Sequence, residues 1–154
     1  MPKERLDRPL HASLEVAAAP TDVWSVVSDV RRTGEWSPEC SRVMCLGRVR
    51  PGAWMLGLNR RKRVRWPTLS LVISVDPGRE IAWRTITNGA VWTYRLEPTG
   101  SGTRLVETRE TPKGVGGFAR GFTRVLLGGQ RVHDDELEAG MRDGLTRIRS
   151  IAEA

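Results

Sequence analysis

The sequence predicts an α+β domain, in which an antiparallel sheet of about seven strands is followed by a long C-terminal helix. Two observations lead to this fold class: short alternating apolar runs separated by turn signals, and a final segment with helical periodicity. In that segment the apolar residues recur at spacings of four, four and three, which places them on one helix face. They are Leu137, Met141, Leu145 and Ile148. A chain of 154 residues is the size of one domain.

The N-terminal part predicts a strand and then two short helices. Residues 14–18 alternate between apolar and polar, as in a strand with one buried face. Pro20 suits the first turn of a helix, and Asp22 lies where the helix dipole favours a negative charge. Gly34 and Pro38 end the helical part.

Six further strands are predicted between turn signals such as Asp76-Pro77-Gly78 and Asn88-Gly89. Because the connections are short, neighbouring strands are expected to run antiparallel, as in a meander. The predicted strands cover residues 41–49, 53–59, 65–75, 80–87, 90–97 and 103–111.

Alternation within these strands predicts which side chains face inward. On the predicted strand 65–75 the inner residues are its most apolar alternating set, and one inner set is predicted on each of the next two strands. The three sets are Leu69, Leu71, Ile73 and Val75; then Ile81, Trp83 and Thr85; then Trp92, Tyr94 and Leu96.

The order of elements and several phrases resemble the START-like, helix-grip superfamily, in the SRPBCC or polyketide cyclase/dehydratase branch. The phrases include A-P-T-D-V-W, D-V-R-R-T-G-E-W-S-P and W-T-Y-R-L-E-P-T-G-S-G-T-R-L. The resemblance implies a curved antiparallel sheet wrapped around the C-terminal helix, with an apolar cavity between them. It covers the chain from about His11 onward, so we expect a flexible tail at residues 1–10 and a single domain at 11–154.

Composition limits the function classes. The N-terminus has no apolar run typical of a signal peptide or a spanning helix, so a cytoplasmic protein is expected. Cys40 and Cys45 lack a second pair of ligands nearby, and His11 and His133 are distant in sequence, so no metal and no cofactor is expected. A monomer or weak homodimer is the expected state.

The net charge of +7 raises the possibility of an anionic partner. The densest basic run, residues 60–65, fits a nucleic-acid or anionic-lipid patch, but also a solvated hairpin end. We expect the solvated hairpin end, with little contribution to folding, and nucleic-acid binding is kept only as a third alternative. The Gly-rich segment 112–129 predicts a flexible loop with a short amphipathic helix inside it.

Aromatic residues and one acidic residue suggest where chemistry would occur. The sequence contains six tryptophans and one tyrosine. Their rings either fill the core or line a pocket for an apolar ligand. Trp36 lies in the loop that, by the resemblance, lies near that pocket. The predicted ligand-binding residues are Trp36, Leu71, Trp83, Trp92, Tyr94, Glu107, Arg109, Met141 and Leu145.

Glu107 is the candidate catalytic residue, because parity with Leu105 sends it inward. It either forms an ordinary ion pair with Arg109 or acts as a polar anchor or general acid/base. The leading prediction is binding of a small lipid-like or polyketide-like ligand. The alternative is a polyketide aromatase/cyclase or dehydratase, as the resemblance implies.

Overall fold

The computed structural model describes residues 9–111 and 130–154, with side chains described from residue 135 onward in the second part. The predicted Gly-rich loop at 112–129, most of the predicted tail and the side chain of His133 lie outside the described residues.

Seven antiparallel strands form one sheet in the order β1-β7-β6-β5-β4-β3-β2. The strands β2 to β7 form a meander, and β1 completes the sheet by pairing with β7, so that the prediction of about seven strands is confirmed. Asn88-Gly89 lies in the connection between β5 and β6, as expected, and Gly89 takes a φ of 74° that disfavours other residues. The strands are β1 Leu10–Val16, β2 Cys40–Cys45, β3 Trp54–Arg61, β4 Val64–Asp76, β5 Glu80–Thr85, β6 Val91–Thr99 and β7 Gly102–Glu110.

Helices occupy the predicted places. Helix α1 spans Pro20–Val27, with proline in its first turn, and a 3-10 helix follows at Val30–Glu35. The long helix α2 spans Gln130–Glu153 and packs mainly against β1 and α1. Its apolar stripe is buried: Met141, Leu145 and Ile148 belong to the hydrophobic core together with residues of β1, α1 and β7.

The inner face of β4 differs from the prediction. Thr68 and Ser70 face inward, whereas Leu69 and Ile73 are each 40% exposed on the other side, which we call the outer face. The assignment failed because it took the most apolar set of alternating residues as the buried one. A bulge between Val72 and Ser74 then shifts the register, and Val75 does pack against the core.

Candidate functional site

A cavity of about 150 Å³ lies on the inner face of the sheet. Strands β2 to β7 contribute to its wall, and Leu137 of α2 borders it. Of the predicted ligand-binding residues, five line it: Trp83, Trp92, Tyr94, Glu107 and Arg109. The period-two pattern of β5, β6 and β7 therefore predicts the cavity side of these strands correctly.

Aromatic rings form one wall of this cavity. Trp83 and Trp92 lie opposite each other on β5 and β6, and Ile81 lies opposite Tyr94. The rings of Trp83 and Tyr94 are 5.9 Å apart between centroids and tilted by 46°, within the range of favourable aromatic pairs. The wall therefore offers flat apolar surface together with the hydroxyl of Tyr94.

Glu107 is buried beside Tyr94, its neighbour across the β6–β7 pair. Burial penalises the charged carboxylate and raises the pKa of Glu107 to about 8, while a hydrogen bond from the Tyr94 hydroxyl acts in the opposite direction. The pKa of Tyr94 is likewise raised well above its usual value, first by burial and then by the nearby Glu107. At neutral pH both groups are therefore mainly protonated. Because the Tyr94 hydroxyl donates to Glu107, the proton of the Glu107 carboxyl is the one available to a ligand.

Arg109 points into the same cavity but interacts with a different neighbour. Its guanidinium lies 5.6 Å from the centroid of the Trp92 ring, in a cation–π contact. Residues two apart on a strand are separated by about 7 Å, farther than directly opposed residues of paired strands. The pKa of Glu107 is raised rather than lowered, which is not the direction that an ordinary ion pair with Arg109, one of the two alternatives, would produce.

A second cavity of about 70 Å³ lies next to the first, between the loop after the 3-10 helix and α2. Trp92, Tyr94 and Glu107 border both cavities, and Trp36 and Met141 line the second. Trp36 is 1% exposed. Its indole N–H lies near the Tyr94 hydroxyl and acts to lower the pKa of Tyr94. Among the described residues, however, this N–H has no partner with ordinary hydrogen-bond geometry.

Two glycines of α2 bring the helix close to this loop. A Cβ on Gly144 would lie 3.2 Å from the carbonyl oxygen of Trp36, and a Cβ on Gly140 would lie 3.3 Å from Cγ of Pro38. Both separations are tighter than ordinary carbon contacts, which explains why the helix carries residues that weaken it.

A family model described as polyketide cyclase / dehydrase and lipid transport matches residues 9–153. The chain belongs to the polyketide cyclase/dehydrase and lipid transport family. No curated protein sequence matches the chain.

Solved structures show the same helix-grip architecture, which confirms the predicted fold. The di-domain ARO/CYC StfQ from the steffimycin biosynthetic pathway has a TM-score of 0.77 at 17% identity; the match covers 98% of this chain and 52% of StfQ, so the chain spans about half of that protein. The Zhui aromatase/cyclase from a Streptomyces species has a TM-score of 0.72 at 20% identity, with 95% and 93% covered. The Polyketide_cyc-like protein Cgl2372 from Corynebacterium glutamicum has a TM-score of 0.64 at 29% identity, with 99% and 94% covered.

Two predicted site residues of this polyketide cyclase family member lie elsewhere. Leu71 is on the outer face, opposite Trp54 of β3 and Arg84 of β5, because the inner positions of β4 are those of Thr68 and Ser70. Leu145 is fully buried in the core, one helical turn beyond Met141, and borders neither of the two cavities.

Sequence reasoning missed a row of uncharged polar side chains on the cavity wall. Asn59 donates a hydrogen bond to the Thr68 hydroxyl at 3.1 Å, and the hydroxyls of Ser70 and Thr85 are 3.2 Å apart. Each of these residues lines the larger cavity. The alternation of small polar with large apolar residues on β4 is the signal, since an inner face that borders a cavity does not need to be its strand's most apolar face.

Arg61 departs from the prediction that the whole basic run is a solvated hairpin end. Its side chain is 14% exposed and binds the Glu136 carboxylate of α2 through two hydrogen bonds, the one from Nη2 being 2.6 Å long. This ion pair joins the β3–β4 hairpin to the helix beside the cavities. Lys62 and Arg63 at the turn are exposed as expected.

In the part of the chain that the structure describes, no helix has the length and hydrophobicity of a membrane-spanning segment.

Replacing Arg61 with Gln is expected to reduce the free energy of unfolding by about 1 kcal/mol, because a bidentate pair between two elements is lost. Arg63→Gln, which removes the same charge from an exposed position two residues on, is the control and should change it by less than about 0.5 kcal/mol. Urea unfolding followed by circular dichroism measures both. Equal effects would show that the ion pair does not stabilise the fold.

Proposed function

We propose that the protein binds a small, mostly apolar ligand that carries a hydroxyl or carbonyl group. The observation that supports this function most directly is the buried Glu107 beside Tyr94 in a cavity walled by aromatic rings. Apolar cavities with a few inward polar groups are the usual form of small-molecule sites, since the rings supply affinity and the polar groups fix orientation.

Size and polarity narrow the ligand class. A cavity near 150 Å³ has room for a single aromatic ring, and the adjoining smaller cavity extends the available space. Glu107 offers a proton donor, and the side chains of Asn59, Thr68 and Ser70 add uncharged polar groups to the lining of the same cavity. A small aromatic molecule with one or two rings and several oxygen substituents satisfies this pattern.

Native mass spectrometry of freshly purified protein tests for a retained ligand, and titration with fatty acids, flavonoids and aromatic polyketides tests binding. Trp83 and Trp92 border the cavity, so their fluorescence is expected to change on binding. Tyr94→Phe removes a hydroxyl from the cavity and should weaken binding about tenfold, in line with a lost hydrogen bond. Thr93→Ala, on the same strand but on the outer face, is the matched control and should leave affinity unchanged. Absence of a retained ligand together with no fluorescence change for any of these compounds would contradict the proposal.

An enzymatic role is the second candidate, namely a polyketide cyclase or dehydratase. A carboxylic acid with a pKa of about 8 lies near the pH at which acid–base catalysts work best. Protonated Glu107 would polarise a ligand carbonyl or protonate a departing hydroxyl, while Arg109 and Tyr94 would hold neighbouring oxygens. Incubation with a poly-β-ketone thioester, followed by mass spectrometry, separates the two roles. If the wild-type protein dehydrates the thioester and Glu107→Gln does not, the enzymatic role is supported. If the thioester is bound but recovered unchanged, the binding role is supported.

A further inference from the structure

The outer face of the sheet carries a broad exposed apolar surface, on the side opposite the cavity. Leu46 is 82% exposed and Trp54 44%, and six other large apolar side chains on or beside this face are at least 37% exposed. Pairing of the strands joins several of them into rows, such as Met44, Leu56 and Leu69 across β2, β3 and β4. We call this set the outer patch: Met44, Leu46, Trp54, Leu56, Leu58, Leu69, Ile73 and Ile86.

The segment that supplies most of the outer patch is purely basic in its charged residues. Residues 40–75, which supply seven of its eight members, contain eight Arg or Lys and no Asp or Glu. Register places four exposed arginines on the same face at its border: Arg42 beside Leu58, Arg60 opposite Arg65, and Arg84 opposite Leu71. None of the four forms an ion pair with a described residue.

We propose that the outer patch docks the protein onto an anionic phospholipid bilayer. The exposed apolar side chains of the patch suit the acyl-chain layer of such a surface, and the arginines at its border suit the phosphate layer. Leu46 projects beside Arg48 and Arg50 of the same connection, and Trp54 has the amphipathic ring that is enriched at membrane–water interfaces.

Charge favours this occupant over a second copy of the chain. Two copies joined through their outer patches would bring the bordering arginines together, with no acidic residue between positions 40 and 75 to offset them. A contiguous exposed apolar surface of this kind is unusual on a monomeric protein that binds neither a partner nor a membrane.

Vesicle binding of the whole protein, freed of any cavity ligand, tests the proposal independently of the proposed function. Vesicles of phosphatidylcholine are compared with mixtures containing phosphatidylglycerol, at low and high salt. We expect binding to the mixture alone, and weaker binding at high salt. Brominated acyl chains should quench Trp54, the tryptophan of the outer patch, and the quenching should be lost in Trp54→Phe.

Paired variants identify the surface. Arg60→Gln with Arg65→Gln should weaken vesicle binding about 25-fold, since each basic residue near an anionic bilayer contributes about fivefold. Arg95→Gln with Arg104→Gln removes the same charge from exposed positions on β6 and β7, and should weaken it less than about threefold. Leu56→Gln with Leu69→Gln should abolish the quenching.

Three results would overturn the proposal. The first is that the wild-type protein does not bind anionic vesicles at low salt. The second is that both pairs of arginine substitutions weaken vesicle binding equally. The third is that light scattering shows a dimer, which Leu56→Gln with Leu69→Gln dissociates. The last would assign the outer patch to self-association. Circular dichroism of each variant confirms that the fold is retained.

Discussion

Replacing Glu107 with Gln is expected to make the protein more stable than the wild type above pH 8, by up to about 5 kcal/mol. Burial raises the pKa of Glu107 from 4.5 to about 8, so between these values the folded protein holds a proton that the unfolded chain releases. The free energy of unfolding must therefore fall as pH rises from 4.5 to 8, and the loss is complete above the folded pKa. Gln keeps the shape of the side chain but cannot ionise.

Urea unfolding at a series of pH values measures the effect. Well below pH 4.5 the variant and the wild type should differ by less than about 1 kcal/mol, because Glu107 is then neutral in both the folded and the unfolded state. Glu110→Gln, at an exposed position on the same strand, is the control and should reproduce the wild-type slope. Parallel curves for Glu107→Gln and the wild type from pH 4.5 to pH 8 would show that Glu107 ionises normally.

Gly34→Ala is expected to destabilise the fold by about 3 kcal/mol or more. Gly34 lies in the 3-10 helix that leads to Trp36, and an added Cβ would stand 2.3 Å from the carbonyl oxygen of Ser41. That oxygen belongs to the backbone of β2, so relief requires the loop and the strand to separate. Separation would move Trp36 away from the core, where it is fully buried.

Gly100→Ala is the control for this substitution, because nothing lies within 4 Å of a Cβ at that turn position. Its free energy of unfolding should stay within about 0.5 kcal/mol of the wild type. Gly34→Ala should also reduce the response of tryptophan fluorescence to ligand, since the loop carrying Trp36 borders the smaller cavity. Equal stability of the two variants would mean that the loop accommodates a methyl group without moving.

Local signals in the sequence are enough to predict the fold. The turns at Asp76-Pro77-Gly78 and Asn88-Gly89 divide β4, β5 and β6 near their observed ends, and the helical stripe of α2 is buried as its spacing predicts. These features depend on neighbouring residues alone, which a single sequence displays directly.

The site was predicted only in part, because its geometry depends on pairing between distant strands. Parity places Glu107 inside, but its interaction with Tyr94 follows from the register of β6 and β7. Leu71 was misplaced because a cavity wall tolerates Thr68 and Ser70, whereas a packed core would have selected the leucines. The pairing of Arg61 with Glu136 spans 75 positions along the chain, and no local pattern indicates it.

The glycines of α2 have a consequence for how pockets diverge among related proteins. Gly140 and Gly144 allow the Trp36–Pro38 loop to rest almost on the helix backbone. Because both glycines line the smaller cavity, a larger residue at either position would hold the loop farther from the helix or fill part of that cavity. The ligand capacity of this fold can therefore change during evolution through two helix positions, with the whole sheet left as it is.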